Sequence, residues 1–171
     1  SIFHSVSAFC NAGIDILGSD SLAKYICNPL INITTMLLII LSGIGFSVWY
    51  DVLGNIKKIR KKEIPGKWWF TRLRLHSKLA IVTTLILLAV GTLLTFLLEY
   101  HNPDTIGHLN FGEKWMASAF QSVTTRTAGY STFSQAGMHE ETRFLNILLM
   151  FIGGSPGGTA GGVKTTTIAM L

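Results

Sequence analysis

The sequence contains few charged residues, and this scarcity limits the environment in which the chain can fold. Charged side chains make up 13% of the 171 residues, whereas a soluble domain has about 25%. Residues 25–50 and 79–98 contain none, and both runs are strongly apolar. A helix of roughly 20 residues crosses the ~30 Å hydrocarbon core of a bilayer. The composition therefore excludes an ordinary soluble domain and predicts a membrane protein with helices near 29–50 and 79–98.

Cysteine is also scarce, and the motifs for catalysis are incomplete. Cys10 and Cys27 are too few for a disulfide framework or a cysteine-ligated metal site. The stretch GGSPG at 153–157 resembles a serine nucleophile motif, but the proline after the serine has no N–H for an oxyanion hole. Residues 157–165 miss the phosphate-binding loop pattern by one inserted residue. We therefore expect no enzyme, no cofactor and no resident metal.

The basic residues cluster in one place. Nine of the 14 lysines and arginines lie within 57–78, the stretch that joins the two apolar runs. Basic loops between spanning helices stay in the cytoplasm, so this placement indicates topology rather than a nucleic-acid surface. We expect the loop 55–78 to be cytoplasmic, the helix at 29–50 to enter from outside, the helix at 79–98 to return, and 99–113 to form an outer loop.

One sequence motif occurs twice. The pattern S-x-F-x-S-V-[S/T] at 1–7 recurs at 118–124, a spacing of 117 residues. The dipeptide Ala-Gly at 12–13 recurs at 128–129, a spacing of 116. Each motif lies in a short amphipathic stretch that would reach only ~15 Å as a helix, half of the membrane. The repeat predicts two re-entrant pore loops in the same orientation, with spanning helices between them.

The turns that follow these short helices, at 11–13 and 127–129, would lie at membrane depth. Irregular backbone is tolerated there only where it is buried in protein or lines water. Backbone carbonyls can replace the hydration shell of a cation. Glycine accepts the positive φ that directs successive carbonyls to one side, and a helix C-terminus favours positive charge. The pattern favours an ion filter, and an ordinary tight loop between helices is the alternative.

Three segments carry a family resemblance: SAFCNAGI at 7–14, SVTTRTAGY at 122–130 and MFIGGSPGGTAGGVKTTT at 150–167. They resemble the Trk/Ktr/HKT superfamily of cation transporters over the whole chain, and the glycine-rich segment is most similar to the bacterial KtrB type. The resemblance implies four helix–pore-loop–helix repeats around one pore. This chain would be a fragment that supplies parts of repeats two and three, and therefore two of the four filter segments.

The resemblance also implies a division of the chain and a set of filter residues. Residues 1–54 would hold the pore helix, filter and second helix of repeat two, 55–78 the cytoplasmic loop, and 79–171 most of repeat three. The potassium-coordinating carbonyls would belong to Cys10, Asn11, Ala12, Gly13, Thr127, Ala128 and Gly129. Both segments have glycine rather than serine at the filter position, which favours potassium.

The last apolar segment begins near Arg143 and is interrupted at 153–162, before it resumes at Val163. The interruption has six glycines and one proline. Proline lacks an N–H and glycine costs about 1 kcal/mol inside a helix, so we expect the helix to break in mid-membrane, beneath the filter. In the family this stretch is an intramembrane gate, and a kink that serves packing is the alternative. The predicted gate loop comprises Gly153, Gly154, Ser155, Pro156, Gly157, Gly158, Thr159, Ala160, Gly161 and Gly162.

Charged residues near these segments have predicted supporting roles. Arg126 would either brace the filter from behind, through Glu113 or another acid, or extend to water, and bracing is favoured because a cation that faced the pore would repel the ion. Lys164 would either anchor the gate through a carboxylate or loop carbonyls, or extend to cytoplasmic water. Asp15 and Asp20 would either concentrate cations at the outer mouth or be solvated loop acids, and the second interpretation is favoured.

These observations lead to a hypothesis about function. The chain would belong to the ion-conducting subunit of a bacterial potassium-uptake system, an all-α, multi-pass plasma-membrane protein that passes K⁺ down its gradient, with Na⁺ as the alternative ion. The resemblance implies a homodimer of full-length chains on a cytoplasmic nucleotide-binding ring, and the placement of the basic residues indicates no nucleic-acid partner. The alternatives are a secondary transporter of a small solute built on a discontinuous helix and a structural scaffold. The fragment alone would not conduct.

Overall fold

The computed structural model of the protein describes residues 2–16, 21–61 and 70–170. In these ranges the regular structure is helical, as the sequence predicts, apart from an isolated pairing of two residues. The α-helices are α1 Ile2–Phe9, α2 Pro29–Gly43, α3 Phe46–Arg60, α4 Leu75–Glu99, α5 Phe111–Thr124, α6 Glu140–Phe151 and α7 Thr165–Met170, and a short 3₁₀ helix covers Ala23–Tyr25.

Helix α4 is the one helix in the described ranges that is long and apolar enough by itself to cross a membrane. It has 25 residues, which extend about 37 Å at about 1.5 Å per residue. It begins at Leu75 rather than at the predicted 79. Because α3, α5, α6 and α7 all contact α4, it is the element against which the second half of the chain packs.

The predicted continuous helix at 29–50 is wrong. The run breaks into α2 and α3, whose axes differ by 96°. Gly45, at the break, has a φ of 95°, which is outside the helical range and suited to glycine. The indole Nε1 of Trp49 donates to the carbonyl of Leu41 at 2.8 Å, across the break. Together α2 and α3 have the length and composition of a membrane span only as a bent pair.

The basic stretch that was predicted as a loop at 55–78 is partly helical. Residues 55–60 belong to α3 and residues 75–78 belong to α4. Lys62 and Lys67 lie outside the described residues. The connection between the two helices is therefore shorter than the sequence predicts.

The two short helices that the repeat predicts are α1 and α5. They have eight and 14 residues, too few to cross the membrane. Helix α5 begins at Phe111 rather than at 114, because its first turn is capped: the carboxylate of Glu113 accepts a hydrogen bond from the N–H of Asn110 at 3.0 Å.

Helices α6 and α7 flank the predicted interruption. Helix α6 begins at Glu140 rather than at Arg143 and ends at Phe151. The helix resumes at Thr165 rather than at Val163. The helix break that the glycine-rich sequence predicts is therefore present, and it extends slightly beyond 153–162.

A buried apolar cluster holds the two short helices together. Ala8 of α1, Ile39 of α2 and Phe120 of α5 are each at most 3% exposed. Ala128 and Tyr130, just beyond α5, are 1% exposed and belong to the same cluster. Burial of apolar surface contributes about 25 cal/mol per Å², so this cluster fixes the ends of α1 and α5 relative to each other.

Helix α5 packs closely against α4 at Gly91. The hydroxyl of Ser122 donates to the carbonyl of Leu88 at 3.0 Å. A Cβ atom at Gly91 would lie 2.4 Å from that hydroxyl oxygen and 3.0 Å from a methyl of Leu149 in α6. Both helices can approach α4 this closely because residue 91 has no side chain.

We expect Gly91→Ala to lower the thermal unfolding midpoint of the purified protein, because overpacking a tight contact costs about 1–3 kcal/mol. Gly54→Ala is the matched control. Gly54 also lies within a helix, but no heavy atom lies within 4 Å of its Cβ position, and alanine favours helix there. Equal midpoints for the two variants would contradict the close packing at Gly91.

Candidate functional site

The two turns that follow α1 and α5 have the same backbone twist. We call residues 10–13 the first turn and residues 127–129 the second turn. Asn11 and Thr127 have φ values of 50° and 73°, although neither is glycine. Gly13 and Gly129 have φ values of 65° and 87°. Positive φ is uncommon outside glycine, so two such residues at a spacing of 116 identify a repeated structure as well as a repeated sequence.

The same side-chain hydrogen bond closes each turn. The hydroxyl of Ser7 donates to the carbonyl of Ile14 at 2.7 Å, and the hydroxyl of Thr124 donates to the carbonyl of Tyr130 at 2.6 Å. Ser7 and Thr124 are the last residues of the two copies of the sequence motif. The sequence analysis gave them no role, although the shared hydroxyl at the end of the motif was the signal for one.

The two turns lie against each other. A Cβ atom at Gly13 would lie 2.2 Å from the carbonyl oxygen of Ala128, so no other residue fits there without a shift of backbone. The hydroxyl of Tyr130 donates to the carbonyl of Ile14 at 3.4 Å, next to this contact. The predicted filter residues of both copies are therefore brought together, with Cys10 exposed and Ala128 buried.

The glycine-rich loop, residues 153–162, docks into the break between α2 and α3. The N–H of Ser155 donates to the carbonyl of Gly43 at 3.0 Å, and the N–H of Thr159 donates to that of Ser42 at 3.3 Å. In return, the N–H of Phe46 donates to the carbonyl of Gly157 at 3.2 Å. Helix ends leave such backbone groups without partners, so the two interruptions satisfy each other.

Glycine is required where the loop closes on itself and on α2. A Cβ atom at Gly153 would lie 1.6 Å from the carbonyl oxygen of Gly161, and one at Gly158 would lie 2.6 Å from that of Gly43. Residues 152 and 163 pair as an isolated parallel bridge at the base of the loop. The loop is thus a compact, closed segment of backbone rather than a simple kink in one helix.

Side chains of both turns reach the same loop. The amide Nδ2 of Asn11 donates to the hydroxyl oxygen of Thr159 at 2.9 Å and to that of Ser42 at 3.2 Å. The N–H of Gly161 donates to the hydroxyl oxygen of Thr127 at 3.0 Å. Asn11 and Thr127 occupy equivalent positions of the repeat, and sequence reasoning assigned roles to their carbonyls but none to their side chains.

The two cations singled out by the sequence both bind carbonyls of this loop. The guanidinium of Arg126, 8% exposed, donates to the carbonyl of Gly153 at 3.1 Å. The expected contact with Glu113 is wrong, because that carboxylate caps α5. The ammonium of Lys164 donates to the carbonyl of Ala160 at 2.9 Å. Among the predicted acids, Asp15 is half-buried, whereas Asp20 lies outside the described residues.

Glu99 is a buried carboxylate, although the sequence predicts that it begins an outer loop. It is 0% exposed at the end of α4. Its oxygens accept hydrogen bonds from the amide of Asn102 and the hydroxyl of Thr105, both at 2.6 Å, and from the N–H of His139 at 2.9 Å. Glu99 therefore joins the loop after α4 to the start of α6. An acid beside an outer loop carries no sequence signal for this role.

The TrkH family, described as cation transport protein, matches residues 1–171. The chain belongs to the TrkH family. The superfamily expected from the sequence is thereby confirmed, and the TrkH family consists of transporters rather than enzymes.

Two relatives of known name show how much of a TrkH-family protein the chain represents. It is 42% identical over 171 residues to the Ktr system potassium uptake protein B of Bacillus subtilis (strain 168). That match covers 100% of the chain and 36% of the relative. It is also 42% identical over 173 residues to the potassium/sodium uptake protein NtpJ of Enterococcus hirae. That match covers 100% of the chain and 35% of the relative. The chain spans about a third of the length of these relatives.

A solved structure supports the fold. The potassium transporter TrkH from Vibrio parahaemolyticus matches with a TM-score of 0.75 and 20% sequence identity, over 99% of this chain and 33% of that one. At this identity the likeness establishes architecture alone. The all-α membrane fold class predicted from the sequence is confirmed for this TrkH-family chain.

We expect Thr124→Val to destabilise the purified TrkH-family protein. Valine keeps the shape but removes the hydroxyl, which leaves the buried carbonyl of Tyr130 without this donor at a cost of about 1–3 kcal/mol. Thr124→Ser should retain most of the stability. Thr34→Val is the control, because Thr34 is exposed and bonds only within its own helix in the described structure. If Thr124→Val and Thr34→Val lower the thermal unfolding midpoint equally, the closing role of Thr124 is contradicted.

Proposed function

We propose that the chain is part of the ion-conducting subunit of a bacterial potassium-uptake system of the Ktr type. Two relatives of similar sequence are named as potassium and potassium/sodium uptake proteins. The observation that carries the proposal is the pair of matching turns. They share a backbone twist and a closing hydrogen bond, and both contact one glycine-rich loop. The chain would supply two of four such segments around a pore.

In this proposal the carbonyls of residues 10–13 and 127–129 replace the water around K⁺. The left-handed residues in each turn support this assignment, since a chain that alternates between right- and left-handed residues can direct successive carbonyls to one side. The helices α1 and α5 both end at these turns, and the partly negative C-terminus of a helix favours a cation. Asn11 and Thr127 are thus filter residues whose side chains support the same site.

The glycine-rich loop is proposed as the gate. Its contacts with Asn11 and with Thr127 hold it directly against both turns. Its backbone bonds to the end of α2 define one docked position. Release of these bonds would move the loop away from the turns and open a path for the ion. Arg126 would then favour the docked state, since it binds the carbonyl of Gly153 from the side of the second turn, whereas Lys164 would stabilise the loop itself through the carbonyl of Ala160.

The proposal includes the assembly and orientation that the family resemblance implies. The full-length chain would form a homodimer in the bacterial plasma membrane, with residues 55–78 on the cytoplasmic side. A ring of nucleotide-binding regulatory subunits would sit on that side and act on the gate. The division of the chain at 1–54, 55–78 and 79–171 belongs to the same proposal.

The filter assignment predicts a specific loss of selectivity. In cells that lack their own potassium uptake, the full-length protein should support rubidium uptake that excess K⁺ blocks and excess Na⁺ does not. Gly129→Ser should weaken that discrimination by about tenfold, because a side chain at φ 87° strains the turn and shifts its carbonyls. Gly112→Ser is the control, since its φ is not positive and no heavy atom lies within 4 Å of its Cβ position.

Two results would contradict the filter assignment. One is unchanged competition by K⁺ and Na⁺ in Gly129→Ser, with the protein confirmed in the membrane. The other is uptake of an organic solute in place of rubidium, which would favour the secondary-transporter alternative.

The gate assignment predicts a gain of flux from a small substitution. Alanine at Gly158 would place a Cβ atom 2.6 Å from the carbonyl oxygen of Gly43, so it opposes docking of the loop. A penalty of about 1–3 kcal/mol on the docked state shifts its population about fivefold or more. Rubidium uptake by Gly158→Ala should therefore rise several-fold.

Gly161→Ala is the matched control for the gate. It lies in the same loop, but the nearest atom to its Cβ position is a methyl of Thr127 at 3.9 Å, an ordinary contact. Its uptake should remain close to that of the unmodified protein. Equal uptake by Gly158→Ala and the unmodified protein, at equal expression, would exclude a gate that opens by release of this contact.

A further inference from the structure

A basic pocket lies between α3 and the start of α4, on elements other than those that carry the two turns. It has a volume of about 350 Å³. Its walls include Lys58 from α3 and Arg72 and Arg74 from the residues before α4. The carboxylate of Asp51 lies in the same wall. A pocket with three cationic side chains and one carboxylate is suited to an anion.

The carboxylate is held by the protein itself. One oxygen of Asp51 accepts a hydrogen bond from the backbone N–H of Arg74 at 2.8 Å, and the other accepts one from the amide of Asn55 at 3.3 Å. The bond from Arg74 fixes the chain before α4 against α3, and the bond from Asn55 holds the carboxylate within α3. They also give the pocket a fixed shape, because the wall formed by α3 is bonded to the wall formed by the residues before α4.

Helix α3 carries an exposed apolar stripe beside this pocket. Its members recur every three or four residues, so they share one side of the helix. The stripe consists of Phe46, Trp49, Tyr50, Leu53 and Ile56, which are between 36% and 75% exposed. Tryptophan and tyrosine are enriched where a protein meets the boundary between lipid tails and headgroups. The basic residues near the end of α3 complete the pattern of a helix that lies in that boundary.

The fold puts both features at the level of a membrane surface. Helix α4, which is long and apolar enough to cross a membrane, begins at Leu75, and Arg72 and Arg74 directly precede it. Helix α3 turns by 96° from α2. A helix at this angle to α2 runs along the membrane surface when α2 runs across the membrane.

We propose that this pocket binds the phosphate of an anionic membrane phospholipid, with α3 lying along the membrane surface and its apolar stripe among the lipid tails. Lys58, Arg72 and Arg74 would contact the headgroup. Clustered basic residues directly beside a spanning helix or on an amphipathic helix are a recognised form of anionic-lipid site, and guanidinium groups match phosphate oxygens in geometry. The inference concerns neither turn and does not rest on the proposed function.

The test uses native mass spectrometry of the purified full-length protein in detergent. The probes are dioctanoyl-phosphatidylglycerol, dioctanoyl-phosphatidylcholine and inorganic phosphate. We expect phosphatidylglycerol to be retained in preference to the other two. The double variant Lys58→Gln with Arg72→Gln should weaken its retention about tenfold or more, since each basic residue contributes about 1 kcal/mol at an anionic surface. Lys57→Gln with Arg60→Gln is the matched control, because it removes the same charge from exposed residues that do not line the pocket.

Four outcomes would overturn the proposal. Equal losses in the two double variants would mean general attraction rather than a site. Equal retention of phosphatidylcholine would remove the need for an anionic lipid, and equal retention of inorganic phosphate would identify a soluble ligand. Unchanged lipid retention together with loss of a co-purifying cytoplasmic subunit in Lys58→Gln with Arg72→Gln would identify a protein interface.

A second variant covers the case in which the pocket variant fails to fold. Asp51→Asn removes the carboxylate charge from the residues that line the pocket and keeps an oxygen that can accept the hydrogen bond from the N–H of Arg74. It should retain phosphatidylglycerol several-fold more strongly than the unmodified protein. Unfolding cannot produce that gain, and weaker or unchanged retention in a folded Asp51→Asn protein would contradict the site.

Discussion

The fit between two helix interruptions is the constraint on which the rest of the structure depends. Backbone N–H and C=O groups within a membrane need partners inside the protein. The break after α2 and the glycine-rich loop after α6 each leave such groups open, and each supplies partners to the other. This contact between the break after α2 and the glycine-rich loop sets the direction in which α3 leaves α2. It also places the loop against both turns, through Asn11 and through Thr127.

The contact between the break after α2 and the glycine-rich loop is made almost entirely by backbone atoms. Glycine permits the approach, since a Cβ atom at Gly158 or Gly45 would collide with a carbonyl of the opposing segment. Backbone hydrogen bonds hold this contact, because backbone groups within a membrane have no water to replace their protein partners. The neighbouring cluster around Phe120 and Tyr130 is held by buried apolar side chains instead. Two adjacent parts of the molecule are therefore held by different interactions.

Sequence reasoning succeeded where the signal was local. The uncharged run at 79–98 predicts α4, the duplicated motif predicts α1 and α5, and six glycines with a proline predict the break after α6. It failed at Gly45, because that break depends on a partner more than a hundred residues away, the loop at 153–162. The short sequence SGIGF at 42–46 was the available clue, and the apolar character of its neighbours concealed it.

The candidate site shows the same division. The glycines and their neighbours could be identified from spacing, whereas the contacts of their side chains could not. The partner of Arg126 is a carbonyl of Gly153, and backbone acceptors leave no trace in sequence. The burial of Glu99 is likewise invisible, because the donors that satisfy it come from the loop after α4 and from the start of α6.

The hydroxyl bond that closes each turn spans seven residues in the first copy and six in the second. The duplication has thus tolerated a change of length between the short helix and its turn, while the closing bond and the left-handed residues were kept. What the two copies share is the closure of a ring of backbone, not the number of residues in it. Each copy can therefore diverge in length and in its side chains without its neighbour, so that two copies of one structure can become unequal one segment at a time.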